Sequence, residues 1–207
     1  MSKTIGIIIY PDVEELDFVG PLEVFGGMAA LTQAQWRVVT IAESRQPVAA
    51  THGLKAIPDH SFEDAPPLDV ILIPGGIGTR QAVENERLIE FVRSAGKNAE
   101  YVTSVCTGAF ILHRAGFLTG KRANTHWGSV DRLRSLGDVE VVPQRFVQDG
   151  NVITAAGVSA GIDMALYVVS LLAGPQAALN VQKMMEYYPE PPVFAQTGGR
   201  PPAEAKA

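Results

Sequence analysis

Cys106 is the only cysteine in the 207 residues, and its surroundings are those of a nucleophile. A β-rich run, Tyr101 to Val105, stops at Cys106, and a run with helical character, Thr107 to Leu112, follows at once. A strand that turns so sharply into a helix needs small neighbours. Ser104 and Gly108 stand two residues away on either side. Such an elbow presents its side chain at the edge of a sheet, beside the amino end of a helix whose N–H groups and dipole favour thiolate over thiol. The apolar surroundings of Val105 and Phe110 oppose that effect. A lone cysteine is often just a small buried hydrophobe; the elbow is the argument for reactivity.

Four further features can complete such a site. Asp17 lies in an acid-rich segment with Asp12, Glu14 and Glu15, as a solvated carboxylate would. It also stands between Leu16 and Phe18. If it points inward, its pKa rises and it can hold a proton for a thiolate. Gly75, Gly76 and Gly78 read either as a tight turn or as a loop whose N–H groups, with that of Thr107, form an anion hole. Thr107 offers a hydroxyl donor and no base at neutral pH. His126 is the remaining candidate base, and reads equally well as a structural histidine at a helix start. His52 and His60 sit in loops without partner spacing, and His113 is two helical turns beyond the thiol. No group has metal-ligand spacing, and the Gly75–Gly78 segment lacks the lysine of a phosphate loop, so neither metal nor cofactor is expected.

The elements that position these residues follow from periodicity. Ile5 to Tyr10 is an apolar run of the kind buried on both faces of a parallel sheet. Gly20, Pro21 and Glu23 carry helix-start signals, predicting a helix from Gly20 to about Leu31, with Asp17 in the connection before it. Trp36 to Ala42 reads as a strand, Val48 to Ile57 as a hairpin turning at Gly53, and Asp59 to Leu68 as a loop. Asp69 to Ile73 is a buried strand, Asn85 to Ala95 an amphipathic helix, and Tyr101 to Val105 the central strand. Beyond the elbow helix come a short strand at Arg122 to Asn124, a helix at Ser129 to Leu136, and strands at Val139 to Val142, Arg145 to Gln148 and Asn151 to Thr154. The last two turn at Asp149-Gly150. Ser159 to Ala173 is an apolar helix, and Pro175 opens a last one reaching about Tyr187.

Alternating strands and helices predict a three-layer α/β sandwich: a mostly parallel central sheet with helices on both faces, flavodoxin-like. Residues 1–188 form one domain, and 189–207, rich in Pro, Gly and Ala, an extended to disordered tail. In such sheets ligands sit at the carboxyl ends of the strands. The Asp17 segment, Pro74-Gly75-Gly76 and Cys106 all reach that edge. A net charge of −5 argues against nucleic acid. No apolar run reaches the ~20 residues of a membrane span. The MSKTIGIIIYP start reads as a strand and not a signal peptide, and a single cysteine suits a reducing compartment, so a cytoplasmic location is expected.

SVCTGA, with IPGG upstream and THW downstream, resembles the ThiJ/PfpI superfamily, relatives of class I glutamine amidotransferases. The motifs LD-x-x-GP, IPGG-x-G, TSVCTG, GKRA-x-THW and AGID are specific in combination, and within the superfamily the chain is most similar to the isocyanide hydratases. That resemblance implies a small isocyanide substrate, a homodimer, Asp17 as general acid and base, and the glycine loop as anion hole. Thr107 stands where protease-like relatives supply a histidine, which counts against peptidase chemistry. Two alternatives remain. One is a small-molecule-sensing domain like those of AraC-type regulators, although no helix-turn-helix units follow it here. The other is a redox-responsive or glyoxal-detoxifying relative, which usually has Glu where Asp17 stands.

Overall fold

The computed structural model describes residues 2–32 and 35–189. The tail expected from residue 189 onward lies almost wholly outside the described residues. In chain order the first elements are β1 (Lys3–Ile8), α1 (Glu15–Leu31), β2 (Trp36–Ala42), β3 (Val48–Ala49), β4 (Lys55–Ala56), β5 (His60–Ser61) and β6 (Val70–Ile73). Next come α2 (Thr79–Ala82), α3 (Glu86–Lys97), β7 (Tyr101–Ser104), α4 (Gly108–Arg114), β8 (Arg122–Ala123), α5 (Val130–Arg134) and β9 (Glu140–Val141). The chain continues through β10 (Phe146–Asp149), β11 (Val152–Ala155), α6 (Ala160–Ala173) and α7 (Pro175–Met184).

The central sheet runs β10-β11-β7-β6-β1-β2-β5, parallel throughout except for the β10–β11 hairpin. The apolar runs sit where they must. Ile5, Ile7 and Ile8 of β1 and all four residues of β6 are buried, because helices cover the sheet. Each such side chain contributes about 1.5–3 kcal/mol relative to exposure. Helices α1, α6 and α7 pack together, while α3 and α4 lie over β6. Register aligns the strand ends: Ile73 pairs with Ser104, and Ser104 with Thr154. The segments leaving β6, β7 and β11 therefore emerge side by side.

Three expectations need correction. Helix α1 starts at Glu15, so Asp17 lies inside it and Gly20-Pro21 does not begin it. The signals were real residues with another purpose. A Cβ on Gly20 would stand 2.9 Å from Ile162 Cγ1, and one on Gly27 2.5 Å from Met184 Cε, so these glycines let α6 and α7 approach α1. The loop predicted from Asp59 to Leu68 contains β5, which pairs with Ile41 and Ala42 at the carboxyl end of β2; a two-residue edge strand has no period to read. Helix α2, inside the segment after the glycine loop, was not expected at all. Its four residues are too few for a helical pattern.

Candidate active site

The elbow is strained. Cys106 has φ +57°, a left-handed conformation that side-chain-bearing residues rarely adopt. Backbone bonds on both sides hold it there. Val105 N donates to Ile73 O at 3.0 Å and Cys106 N to Ala156 O at 2.8 Å, while Cys106 O accepts from Thr125 Oγ1 at 2.8 Å. Gly108 is required for the turn to pack, since a Cβ there would meet Ile73 O at 2.1 Å. Cys106 is 6% exposed. Helix α4, seven residues long, begins two residues beyond the thiol.

Asp17 is 0% exposed on the buried face of α1. Its Oδ2 accepts from Gly75 N at 2.8 Å, and its Oδ1 is buried with no partner among the described residues. No hydrogen bond of good geometry joins Oδ1 to the sulfur, yet the two groups shift one another's ionisation. Burial pushes Asp17 up to about 7 from an ordinary 3.8, against the pull of Gly75 N–H, and the charge of Glu14 adds to the rise. Burial also pushes the Cys106 thiol up to about 12, the charge of Asp17 adding to it, while donors at Thr107 and Val158 pull it down. Of the opposing effects read from sequence, burial prevails. Both shifts favour the protonated forms, Asp17 giving up its proton before the thiol does, so between the two values the pair holds one proton in all.

The glycine loop does not offer the free anion hole expected of Gly75, Gly76 and Gly78. Gly75 N–H is given to Asp17, Gly76 N–H to Thr107 Oγ1 at 3.1 Å, and Gly78 N–H to Asp12 O at 3.0 Å. The loop instead fixes the carboxyl and the threonine. Thr107 Oγ1 lies 2.8 Å from Thr79 Oγ1 and 3.2 Å from Gly76 O, and Tyr10, behind them, donates to Pro74 O at 2.6 Å. The backbone donors that do favour a charged sulfur belong to Thr107 and Val158. Val158 went unnoticed in the sequence. It occupies the strand-to-helix turn between β11 and α6 with φ +46°, at the same sheet edge as Cys106. The signal was available in that strand–helix switch.

His126 is half-buried at the rim. Its Nδ1 accepts from Gly128 N at 3.2 Å, and its ring lies so close to Gly157 that a Cβ there would be 2.3 Å from Cδ2. Burial lowers its pKa, and Glu14 opposes that. Among the described residues it bonds neither Cys106 nor Asp17. His113 is engaged elsewhere, 2.8 Å from Asp138. One group contradicts the expected lack of clustering: ligand atoms of Glu14, Glu15 and His52 lie within 4.8 Å of one another, brought together by the β3–β4 hairpin.

Gly75→Ala tests how tightly this site is built. Its Cβ would stand 2.5 Å from Thr107 N and 2.9 Å from Asp17 Oδ2. Backbone cannot yield as a flexible side chain can, so the variant is expected to lose about 1–3 kcal/mol of stability and most of its activity. Denaturant midpoints alongside thiol reactivity check this; an unchanged midpoint would refute it.

The arrangement joins a strained lone thiol, a buried proton-holding carboxyl and two backbone donors, with no described helix long and apolar enough to cross a membrane. The family model for the DJ-1/PfpI family matches residues 3–171. The chain is 44% identical over 192 residues to the isonitrile hydratase of Pseudomonas putida, a match covering 93% of this chain and 82% of that one. It is 27% identical over 184 residues to the HTH-type transcriptional regulator CdhR of Pseudomonas aeruginosa, covering 88% of this chain and 54% of the regulator. A ThiJ/PfpI family protein of Pseudomonas syringae superposes with a TM-score of 0.86 at 36% identity, covering 93% of this chain and 78% of that chain. With fold, motifs and matches over most of its length in agreement, the chain belongs to the DJ-1/PfpI family.

Proposed function

We propose that this protein is an isocyanide hydratase, converting R–N≡C and water to the N-substituted formamide. The observation that carries the reading is the buried Asp17 carboxyl, without a partner on Oδ1 among the described residues, next to the only cysteine. The 44% identity to an isonitrile hydratase supports it. The sulfur attacks the terminal isocyanide carbon, and the proton shared by the pair goes to that carbon, giving R–N=CH–S–Cys106. Asp17, now ionised, takes a proton from water as its oxygen adds to the same carbon. That proton passes to nitrogen. The tetrahedral intermediate collapses to R–NH–CHO, and the remaining hydroxyl proton returns to the thiol–carboxyl pair. Thr107 and Val158 N–H groups stabilise negative charge on sulfur. The balance is R–NC plus H₂O on one side and R–NH–CHO on the other, with no cofactor or metal taking part.

A homodimer in the cytoplasm, built from single domains spanning residues 1–188, completes the proposal. The purified protein incubated with cyclohexyl isocyanide should yield N-cyclohexylformamide by mass. Absence of formamide at millimolar isocyanide would sink the reading and favour a sensing domain instead. His126→Ala should lower kcat/KM by less than about tenfold, since His126 touches neither Cys106 nor Asp17. A loss as deep as that of Cys106→Ala would install a Cys–His pair.

A further inference from the structure

Glu14 is a partly buried ionisable side chain close enough to the pair to act on Asp17, and it has no part in the reaction as written. It directly precedes α1, one helical turn before Asp17 and therefore on the same side of the helix. Gly75 ties both residues to the site: its N–H goes to Asp17 Oδ2 at 2.8 Å, and its carbonyl accepts from Glu14 N at 2.9 Å. Glu14 lies toward the amino end, at the sheet edge where the strands release Cys106 and the glycine loop. Its side chain is 21% exposed, with Oε1 3.3 Å from His52 Nε2 on the outer side. It makes no capping bond to α1, so the helix does not need its carboxylate. Asp17 and His126, on two different segments of the site, both feel its charge. Two apolar side chains on the neighbouring segments are exposed: Ile77, between Gly76 and Gly78, at 57%, and Trp127, next to His126, at 63%.

We propose that Glu14 sets the charge selectivity of the site, admitting neutral apolar isocyanides past Ile77 and Trp127 and repelling carboxylated ones. The substrate class rests on the hydratase reading; the charge filter does not. An anion held partly buried beside the reacting groups discriminates against like charge far more than one in open water.

Because Cys106 is the only cysteine, alkylation reads the filter without any catalytic assumption. Iodoacetate and iodoacetamide differ in charge at nearly equal size. Glu14→Gln is expected to raise the iodoacetate-to-iodoacetamide rate ratio about five- to tenfold, an effect that shrinks as salt rises. A change in the thiol's own ionisation alters both rates together and leaves the ratio alone. Glu14→Asp, retaining the charge, should keep the wild-type ratio, as should Glu23→Gln, which makes the same change in net charge at an exposed position further along α1. In parallel, kcat/KM for isocyanoacetate relative to cyclohexyl isocyanide should rise by a similar factor in Glu14→Gln. A shifted alkylation ratio with no isocyanide turnover would retain the filter and remove the hydratase reading. An alkylation ratio unchanged in Glu14→Gln, or raised equally by Glu23→Gln, would overturn the filter.

Discussion

Cys106→Ala is expected to abolish formamide production, lowering kcat by at least about 10⁴-fold, while the protein stays folded. Alanine removes the only atom that can bond the isocyanide carbon. Little else changes. The substituted side chain is small, its backbone is held by the bonds of Val105, Cys106 and Thr125, and alanine at φ +57° carries the same strain as cysteine. The loss of stability should be about 1 kcal/mol. Cys106→Gly is the sharper companion. Glycine suffers no penalty at positive φ, so relief of strain of order 1 kcal/mol should offset the lost packing, in an equally inactive protein. Circular dichroism melts with formamide assays separate the two effects. Cys106→Ala retaining more than about a hundredth of wild-type turnover would remove the thiol from the mechanism.

Asp17→Asn is the second large effect. The amide keeps the shape and accepts from Gly75 N–H, but cannot carry the shared proton, so kcat should fall by about 10²–10⁴-fold. The pH dependence distinguishes this from mere disturbance. With Asp17 pushed up to about 7, wild-type kcat/KM should rise with pH through that value, as the pair passes from two protons to one. Asp17→Asn should lose this step. Its thiol should also ionise at lower pH than in the wild type, because the Asp17 charge that helps to hold it up is gone.

Stability moves in the opposite direction to activity. A carboxyl with a raised folded pKa contributes stability that is fully present below its ordinary 3.8 and is lost as pH climbs through about 7. That shift corresponds to about 4 kcal/mol at most. At pH 8 Asp17→Asn should therefore be more stable than wild type by a few kcal/mol, and at pH 4 nearly equal to it. Urea unfolding at the two pH values checks this. A variant less stable at pH 8 would mean that Asp17 is not an uncompensated buried charge.

Much of the site was legible in the sequence because its cues are local. A change of period at a cysteine flanked by Ser104 and Gly108 predicts an elbow, and Cys106 does adopt positive φ. Unbroken apolar runs at Ile5 and Val70 predict strands covered on both faces, and Asp149-Gly150 predicts the β10–β11 turn. Each of these depends on residues within a few positions of one another, where steric limits and burial period act directly. What the chain alone could not determine depends on partners far apart. Gly20 resembles a helix start until Ile162, 142 positions on, shows why it must lack a side chain. The glycine loop reads as an anion hole until Asp17, Thr107 and Asp12 arrive to take its N–H groups. The proton balance of Cys106 is likewise tertiary. The same elbow in water would favour the thiolate; burial raises both groups, the Asp17 charge adding to the rise of the thiol and the Glu14 charge to that of Asp17. Glu14 comes beside the glycine loop because α1 begins more than one and a half turns earlier than its Gly-Pro signal suggests.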